Sequence, residues 1–223
     1  MKAVQVQEKG GDFVLVDMEK PSPKKNEILI KVEACGICHS DDFVKQGAFP
    51  GIEFPRVPGH EVVGIVEKIG ENVNKWKVGQ RVGVGWHGGH CFECEPCRRG
   101  DFISCENAKI SGISYDGGYA EYMCATQEAI AAIPEELSSA DAAPLLCAGI
   151  TTFNALRNSG IRAGDLVAVQ GIGGLGHLAI QYASKMGMRT VAISTSDDKK
   201  KLAEELGAHH FIHTGPSAPA AAL

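Results

Sequence analysis

Between His90 and Cys105 the chain reads H-C-F-E-C-E-P-C-R-R-G-D-F-I-S-C, which spaces Cys91, Cys94, Cys97 and Cys105 as C-x2-C-x2-C-x7-C. A thiolate is a strong zinc ligand, and four of them close a tetrahedral shell with no position left for water or substrate. Gaps of two residues let a tight loop wrap one ion, and the last thiolate closes the lobe. The chemistry is therefore structural: a loop pinned by metal. The competing reading is a disulfide-bonded loop, which a reducing compartment disfavours.

A second run, Gly171-Ile172-Gly173-Gly174-Leu175-Gly176, contains G-x-G-x-x-G. It follows the apolar strand pattern of residues 166–170 and opens a predicted helix from about Gly174 to Met186, the context the motif requires. Glycines let the backbone turn and approach a pyrophosphate, which the helix N-terminus attracts. Gly171, Gly173, Gly174, Leu175 and Gly176 are the expected cradle. An NAD site places Asp or Glu about 20 residues further on, to hold the ribose. This chain has Ser194-Thr195-Ser196-Asp197-Asp198-Lys199 there. Ser194, Thr195, Ser196 and Lys199 suit a 2′-phosphate, which a carboxylate would repel, so the expected cofactor is NADP. NAD stays open, because Asp197 can reach a ribose. Ser196 or Asp197 can also serve only to cap the next helix.

Three further residues are ordinary singly. Cys38 lies in C-H-S-D at a strand end, His60 in G-H-E before a strand, and Cys147 in P-L-L-C-A-G. A cysteine such as Cys147 on an apolar helix reads as core. Taken together, two thiolates and one imidazole are the donor set that leaves a fourth position open on a catalytic zinc.

The elements that position these residues fall into two regimes. Residues 1 to about 135 are β-rich: Phe13 to Met18, Glu27 to Ala34, Glu61 to Ile69 and Arg81 to Val84 read as short strands between Gly and Pro turns, a barrel or sandwich pattern. After Pro134, Ser138 to Asp141 offers a helix start. Ala142 to Leu156 is then helix-like, interrupted by Pro144 and Gly149. From Asp165 the pattern is strand, helix, strand (Thr190 to Ile193), helix (Asp198 to Leu206) and strand (His209 to Ile212), the start of a parallel α/β sheet.

Composition removes other classes. The formal charge of −5 opposes a nucleic-acid surface. The longest apolar runs are strand-length, so no membrane span is expected. The first residues begin a strand pattern rather than a secretory signal, so a cytoplasmic location is expected. Of the eight cysteines, Cys35 and Cys124 have no partner by spacing and read as small buried residues.

These motifs together resemble the zinc-containing medium-chain alcohol dehydrogenases, and most of all the NADP-dependent cinnamyl-alcohol type. The matching stretches are C-G-I-C-H-S-D (35–41), G-H-E (59–61), the four-cysteine lobe, L-C-A-G-I-T (146–151), G-I-G-G-L-G-H (171–177) and S-T-S-D-D-K (194–199). The resemblance implies a GroES-like β-barrel catalytic domain over 1–150, an incomplete Rossmann domain over 151–213 and two zinc ions. It implies Cys38, His60 and Cys147 as catalytic zinc ligands, with Glu61 as an alternative ligand and Asp41 orienting His60. His39 would lie by the cofactor pyrophosphate and Thr151 by the nicotinamide. Trp86 and Phe49 would shape the substrate pocket, and Ser40 would begin a proton relay. Many relatives end that relay with a histidine, whereas here Asp42 and Phe43 follow. The implied reaction is hydride transfer between a primary alcohol or aldehyde and NADP, in a homo-oligomer for full-length relatives.

Only the first half of a doubly wound fold is present, and residues 214–223 read as a disordered tail. A truncated, catalytically inactive zinc-binding fragment is therefore the alternative expectation.

Overall fold

The computed structural model describes residues 1–215. The chain separates into two compact units, one ending at Cys147 and the next starting at Ala148. The tail expected over 214–223 lies, beyond Gly215, outside the described residues.

The first unit opens with β1 (Lys2–Val6) and β2 (Phe13–Asp17), an antiparallel pair. There follow β3 (Glu27–Cys35), α1 (His39–Lys45), β4 (Val62–Ile69), β5 (Arg81–Val84), β6 (His87–Gly89), α2 (Glu95–Arg98), β7 (Lys109–Ile110), β8 (Tyr122–Thr126) and β9 (Ile130–Ala132). Five of the strands form an antiparallel sheet in the order β8-β3-β4-β5-β9, while β6 pairs with β7. Alternation drives this sheet. Ile28 and Ile30, Val62 and Val66, Val82 and Val84, and Met123 and Ala125 all turn into one core. Each such aliphatic side chain contributes about 1.5–3 kcal/mol when fully buried. Register shifts at Leu29/Ile30 and Val32/Ala34 bulge β3. Bulges bend a strand and increase its twist, so the sheet curls.

Helix chemistry begins where the sequence places it. Ser138 Oγ accepts a hydrogen bond from the Asp141 amide at 3.1 Å and caps α3 (Ser139–Ala142). Of the two interruptions expected in the helix-like stretch 142–156, the structure places one near Pro144 and none at Gly149. Pro144 lies in a 3-10 turn over Ala143–Leu146, and the chain breaks at Cys147, with φ −125° and ψ −74°. Gly149 interrupts nothing; it sits in the first turn of α4 (Ala148–Asn158). Cys147 therefore stands at a kink rather than on a helix face.

In the second unit β10 (Leu166–Gln170), α5 (Gly174–Lys185), β11 (Arg189–Ser194), α6 (Lys200–Glu205) and β12 (His210–His213) alternate after α4. The strands form a parallel sheet in the order β10-β11-β12. Val169, Ile180, Ala192 and Ala203 join the sheet to its helices. This is a partial Rossmann-like unit. No described helix is long and apolar enough to cross a membrane.

Candidate functional site

Strand pairing assembles the first cluster. Cys35, at the end of β3, faces Val62 at the start of β4. The next residues of each strand therefore meet, and the Gly36 amide donates to Glu61 O at 2.9 Å. Cys38 follows on one side and His60 on the other. Cys147 arrives from the kink after α3, where the chain lies against the end of β5: a Cβ at Gly85 would stand 2.3 Å from Leu146 O. One ligand atom from each of Cys38, His60, Glu61 and Cys147 lies within 4.8 Å of the other three.

This donor set suits a divalent ion. His60 is 1% exposed, and both ring nitrogens are buried without a hydrogen bond. Nδ1 faces Asp41 Oδ1 at 3.3 Å, which leaves Nε2 for an ion. An unmet buried polar atom costs about 1–3 kcal/mol, and a metal bond would remove that cost. The surrounding field favours positive charge. Burial pulls the His60 imidazolium down, yet Asp41 and Cys147 outweigh it and lift the ring to about 10. Burial pushes the Cys38 thiol up, but Ser40 and His60 outweigh it and the net shift is down. Cys147 is net raised, by burial first, with His60 opposing.

Asp41 holds this arrangement. It is buried, and Oδ2 accepts from the Cys38 amide at 2.9 Å and from the Tyr119 hydroxyl at 2.8 Å. Oδ1 accepts from the Gly59 amide at 3.1 Å. The carboxylate thus fixes both ligand-bearing loops and the His60 ring. Ser40 contacts the Cys38 thiol from the first turn of α1, while His39 is exposed with its ring 4.9 Å from Phe43. Trp86 packs edge-on against His60 at 5.0 Å, and Phe49 against Trp86 at 5.7 Å, so an aromatic wall stands beside the cluster. A separate apolar groove of about 990 Å³ touches Cys38 and His39 and is lined by Phe13, Leu15 and Ile37.

The four-cysteine lobe forms around α2. All eight cysteines are free thiols, which removes the disulfide reading. Cys105 Sγ lies 3.8 Å from Cys94 Sγ and 3.6 Å from Cys91 Sγ. A tetrahedron with Zn–S bonds of about 2.3 Å has edges of about 3.8 Å. Backbone amides of Cys91 and Asn107 donate to Cys105 Sγ, and that of Cys94 donates to Cys91 Sγ. Backbone amides, those of Cys94 and Glu93 foremost, hold the Cys91 thiol down at about 6, whereas burial pushes Cys97 up to about 12. Cys35 and Cys124 are half-buried rather than fully buried, and burial raises their thiols to about 12 and about 11.

In the second unit the glycine run bends between β10 and α5. Gly171 has φ +84°, and a Cβ on Gly176 would stand 1.8 Å from Gly171 O. Gly173 and Gly174 face open space, which leaves room for a phosphate at the N-terminus of α5. Leu175 is exposed in the first turn. Across the loop, Lys199 Nζ donates to Ile172 O at 2.9 Å. Ser194 is buried and its Oγ accepts from the Ser196 amide, while Ser196 Oγ caps the next turn through the Asp198 amide. Both hydroxyls keep their protons for donation. Thr195 lies in the same loop, and its carbonyl faces His213. Thr151 is exposed on α4, and its neighbour Thr152 bonds back to Ala148 O and Gly149 O.

Sequence reasoning missed Tyr119, Gly36 and His213. Tyr119 and Gly36 act through contacts that no local spacing reveals. His213 carried a weak signal, because it ends the strand that pairs beside the Ser194 loop.

A curled antiparallel domain bearing two ligand clusters, followed by a half-wound nucleotide fold, defines a zinc-dependent dehydrogenase class. Residues 24–135 match the alcohol dehydrogenase GroES-like domain, and residues 174–222 match the zinc-binding dehydrogenase family. The chain belongs to the zinc-containing medium-chain alcohol dehydrogenase family. It is 49% identical over 222 residues to the alcohol dehydrogenase patD of Penicillium expansum, covering 100% of this chain and 65% of that relative. Its structure is similar to a cinnamyl alcohol dehydrogenase, SbCAD4, of Sorghum bicolor, with TM-score 0.86, 32% identity, and coverage of 94% of this chain and 63% of that one. It is also similar to CAD from Helicobacter pylori complexed with NADP(H), with TM-score 0.88, 30% identity, and coverage of 94% and 63%. The chain thus spans just under two thirds of the length of these relatives.

Proposed function

We propose that this chain carries the metal and nucleotide machinery of an NADP-linked alcohol dehydrogenase or aldehyde reductase. The observation that supports it most is the convergence of Cys38, His60, Glu61 and Cys147 within 4.8 Å. Cys38, His60 and Cys147 would hold one zinc, with Glu61 as an exchangeable fourth ligand, and Cys91, Cys94, Cys97 and Cys105 would hold a second. Zinc at the first cluster would supply Lewis acidity toward an alcohol or carbonyl oxygen, and NADP would carry the hydride.

The protein's own part is placement. Asp41 Oδ1 stands 3.3 Å from Nδ1 and orients the His60 ring, so that Nε2 would be the ligand atom. Trp86 and Phe49 exclude water beside His60 and offer an apolar aromatic wall, which favours an aromatic or aliphatic primary alcohol over a polyol. Ser40 accepts the substrate proton first. Phe43 cannot carry it onward, so release would depend on water. Gly171, Gly173, Gly174, Leu175 and Gly176 would receive the pyrophosphate, and His39 and Thr151 are further candidate cofactor-binding residues. Ser194, Thr195, Ser196 and Lys199 receive the 2′-phosphate. Eight free thiols agree with a cytoplasmic site of action.

The test combines metal analysis with NADPH oxidation by an aromatic aldehyde. The proposal expects two zinc ions per chain and NADPH consumption that Cys147→Ser abolishes while one zinc remains. Two zinc ions without turnover would instead favour a non-catalytic zinc-binding chain, the reading that its partial span of its relatives motivates.

A further inference from the structure

His213, the last residue of β12, sits beside the loop that follows β11. Strand pairing puts it there, since His213 is the partner of Ser194 in the parallel register. The strand end is tied down further by the Thr214 amide, which donates to Ser194 O at 2.9 Å. The imidazole makes two contacts with the loop. Nε2 lies 3.1 Å from Thr195 O, and Nδ1 lies 3.2 Å from Asp197 Oδ2. The first contact is a hydrogen bond and the second a close polar contact, so the imidazole ties both the Thr195 carbonyl and the Asp197 carboxylate to the end of β12.

Asp197 is the residue whose charge is wrong for a 2′-phosphate. It lies in the Ser194–Lys199 run, and its side chain is 68% exposed. Left alone it would repel a dianion, and it could hold a ribose hydroxyl as an NAD site does. Beside His213, the carboxylate is held toward β12.

We infer that His213 is a specificity-determining positioning residue, which holds Asp197 away from the ribose and so selects a nucleotide bearing a 2′-phosphate. This rests on the NADP reading above and deepens it. Lys199, across the loop on Ile172 O, supplies a positive charge to the same loop. His213 acts through Asp197, not through contact with the nicotinamide.

The probes are 2′,5′-ADP and 5′-AMP, which differ by the 2′-phosphate and need no nicotinamide contact. Titration calorimetry on the zinc-loaded full chain should show 2′,5′-ADP binding more tightly. Exposed ion pairs are modest, so His213→Ala should weaken 2′,5′-ADP by about three- to fivefold and leave 5′-AMP unchanged. His213→Gln keeps a donor for Thr195 O but loses the ring nitrogen beside Asp197, and should show the same selective loss should the alanine variant fold poorly. In an Asp197→Asn background the loss on removing His213 should vanish, because the carboxylate to be held away is gone. A loss that is equal for both nucleotides, or that persists unchanged with Asp197→Asn, overturns the role of His213. A 2′,5′-ADP preference that survives both His213 variants overturns it too, and leaves the NADP reading standing. A wild-type chain that does not prefer 2′,5′-ADP overturns both.

Discussion

Gly36 and Glu61 share one space: a Cβ built on Gly36 would stand 1.9 Å from Glu61 Oε2. Gly36 is absent from the residues with positive φ, so the backbone does not demand glycine here. The carboxylate does. Gly36→Ala should push the Glu61 carboxylate out of its place, at an overpacking cost of about 1–3 kcal/mol in stability. The visible spectrum of the cobalt-substituted chain should change, since Glu61 belongs to the ligand cluster. An unchanged spectrum with unchanged stability would show that the carboxylate has slack.

Tyr119 donates to Asp41 from 78 residues away. Tyr119→Phe should leave one lone pair of a buried carboxylate unmet, costing about 1–3 kcal/mol. It should also weaken metal at the Cys38 cluster by about 10- to 100-fold, because Asp41 orients His60. Chelator competition should remove one zinc earlier than in the wild type and leave the lobe zinc in place. Loss of both ions at the same chelator concentration would contradict the assignment.

The lobe should behave as a folding element. Cys97→Ser replaces a buried sulfur in the four-thiol cluster. The variant should bind one zinc instead of two and unfold at a lower temperature, because structural zinc contributes directly to folding. Two zinc ions in that variant, counted by atomic absorption, would remove Cys97 from the shell.

The glycines of the nucleotide loop should separate by role. Gly176→Ala forces a Cβ to 1.8 Å from Gly171 O, so the loop or α5 must shift. The second unit should lose several kcal/mol, on the order of the largest single-residue effects. Gly173→Ala meets nothing within 4 Å, so stability should hold while 5′-AMP binding falls, the methyl occupying phosphate space. Equal melting temperatures for the two variants would argue against this division.

What the sequence reveals and what it hides divide by the distance over which the chemistry is encoded. The lobe is local: three cysteines two residues apart already describe a wrapped loop. The glycine run is also local, because strand, turn and helix follow within twenty residues. The Cys38 cluster is legible only as a donor set, since its members meet through the β3–β4 register and the kink at Cys147. Of the interruptions the sequence offers there, Pro144 sets the 3-10 turn that ends at Cys147, whereas Gly149 is accommodated inside α4. Tyr119 and Gly36 are hidden, and His213 only weakly signalled, for a different reason. Each acts on a residue that sequence reading did single out, through space that only folding brings together.

The central claim is that Cys38, His60 and Cys147 share one zinc ion. Anomalous diffraction at the zinc edge from crystals of the metal-loaded chain tests it most directly. The account predicts two peaks, one within the sulfurs of Cys91, Cys94, Cys97 and Cys105, and one within bonding distance of Cys38 Sγ, His60 Nε2 and Cys147 Sγ. A single peak in the lobe, with the second cluster empty at full zinc loading, would contradict it.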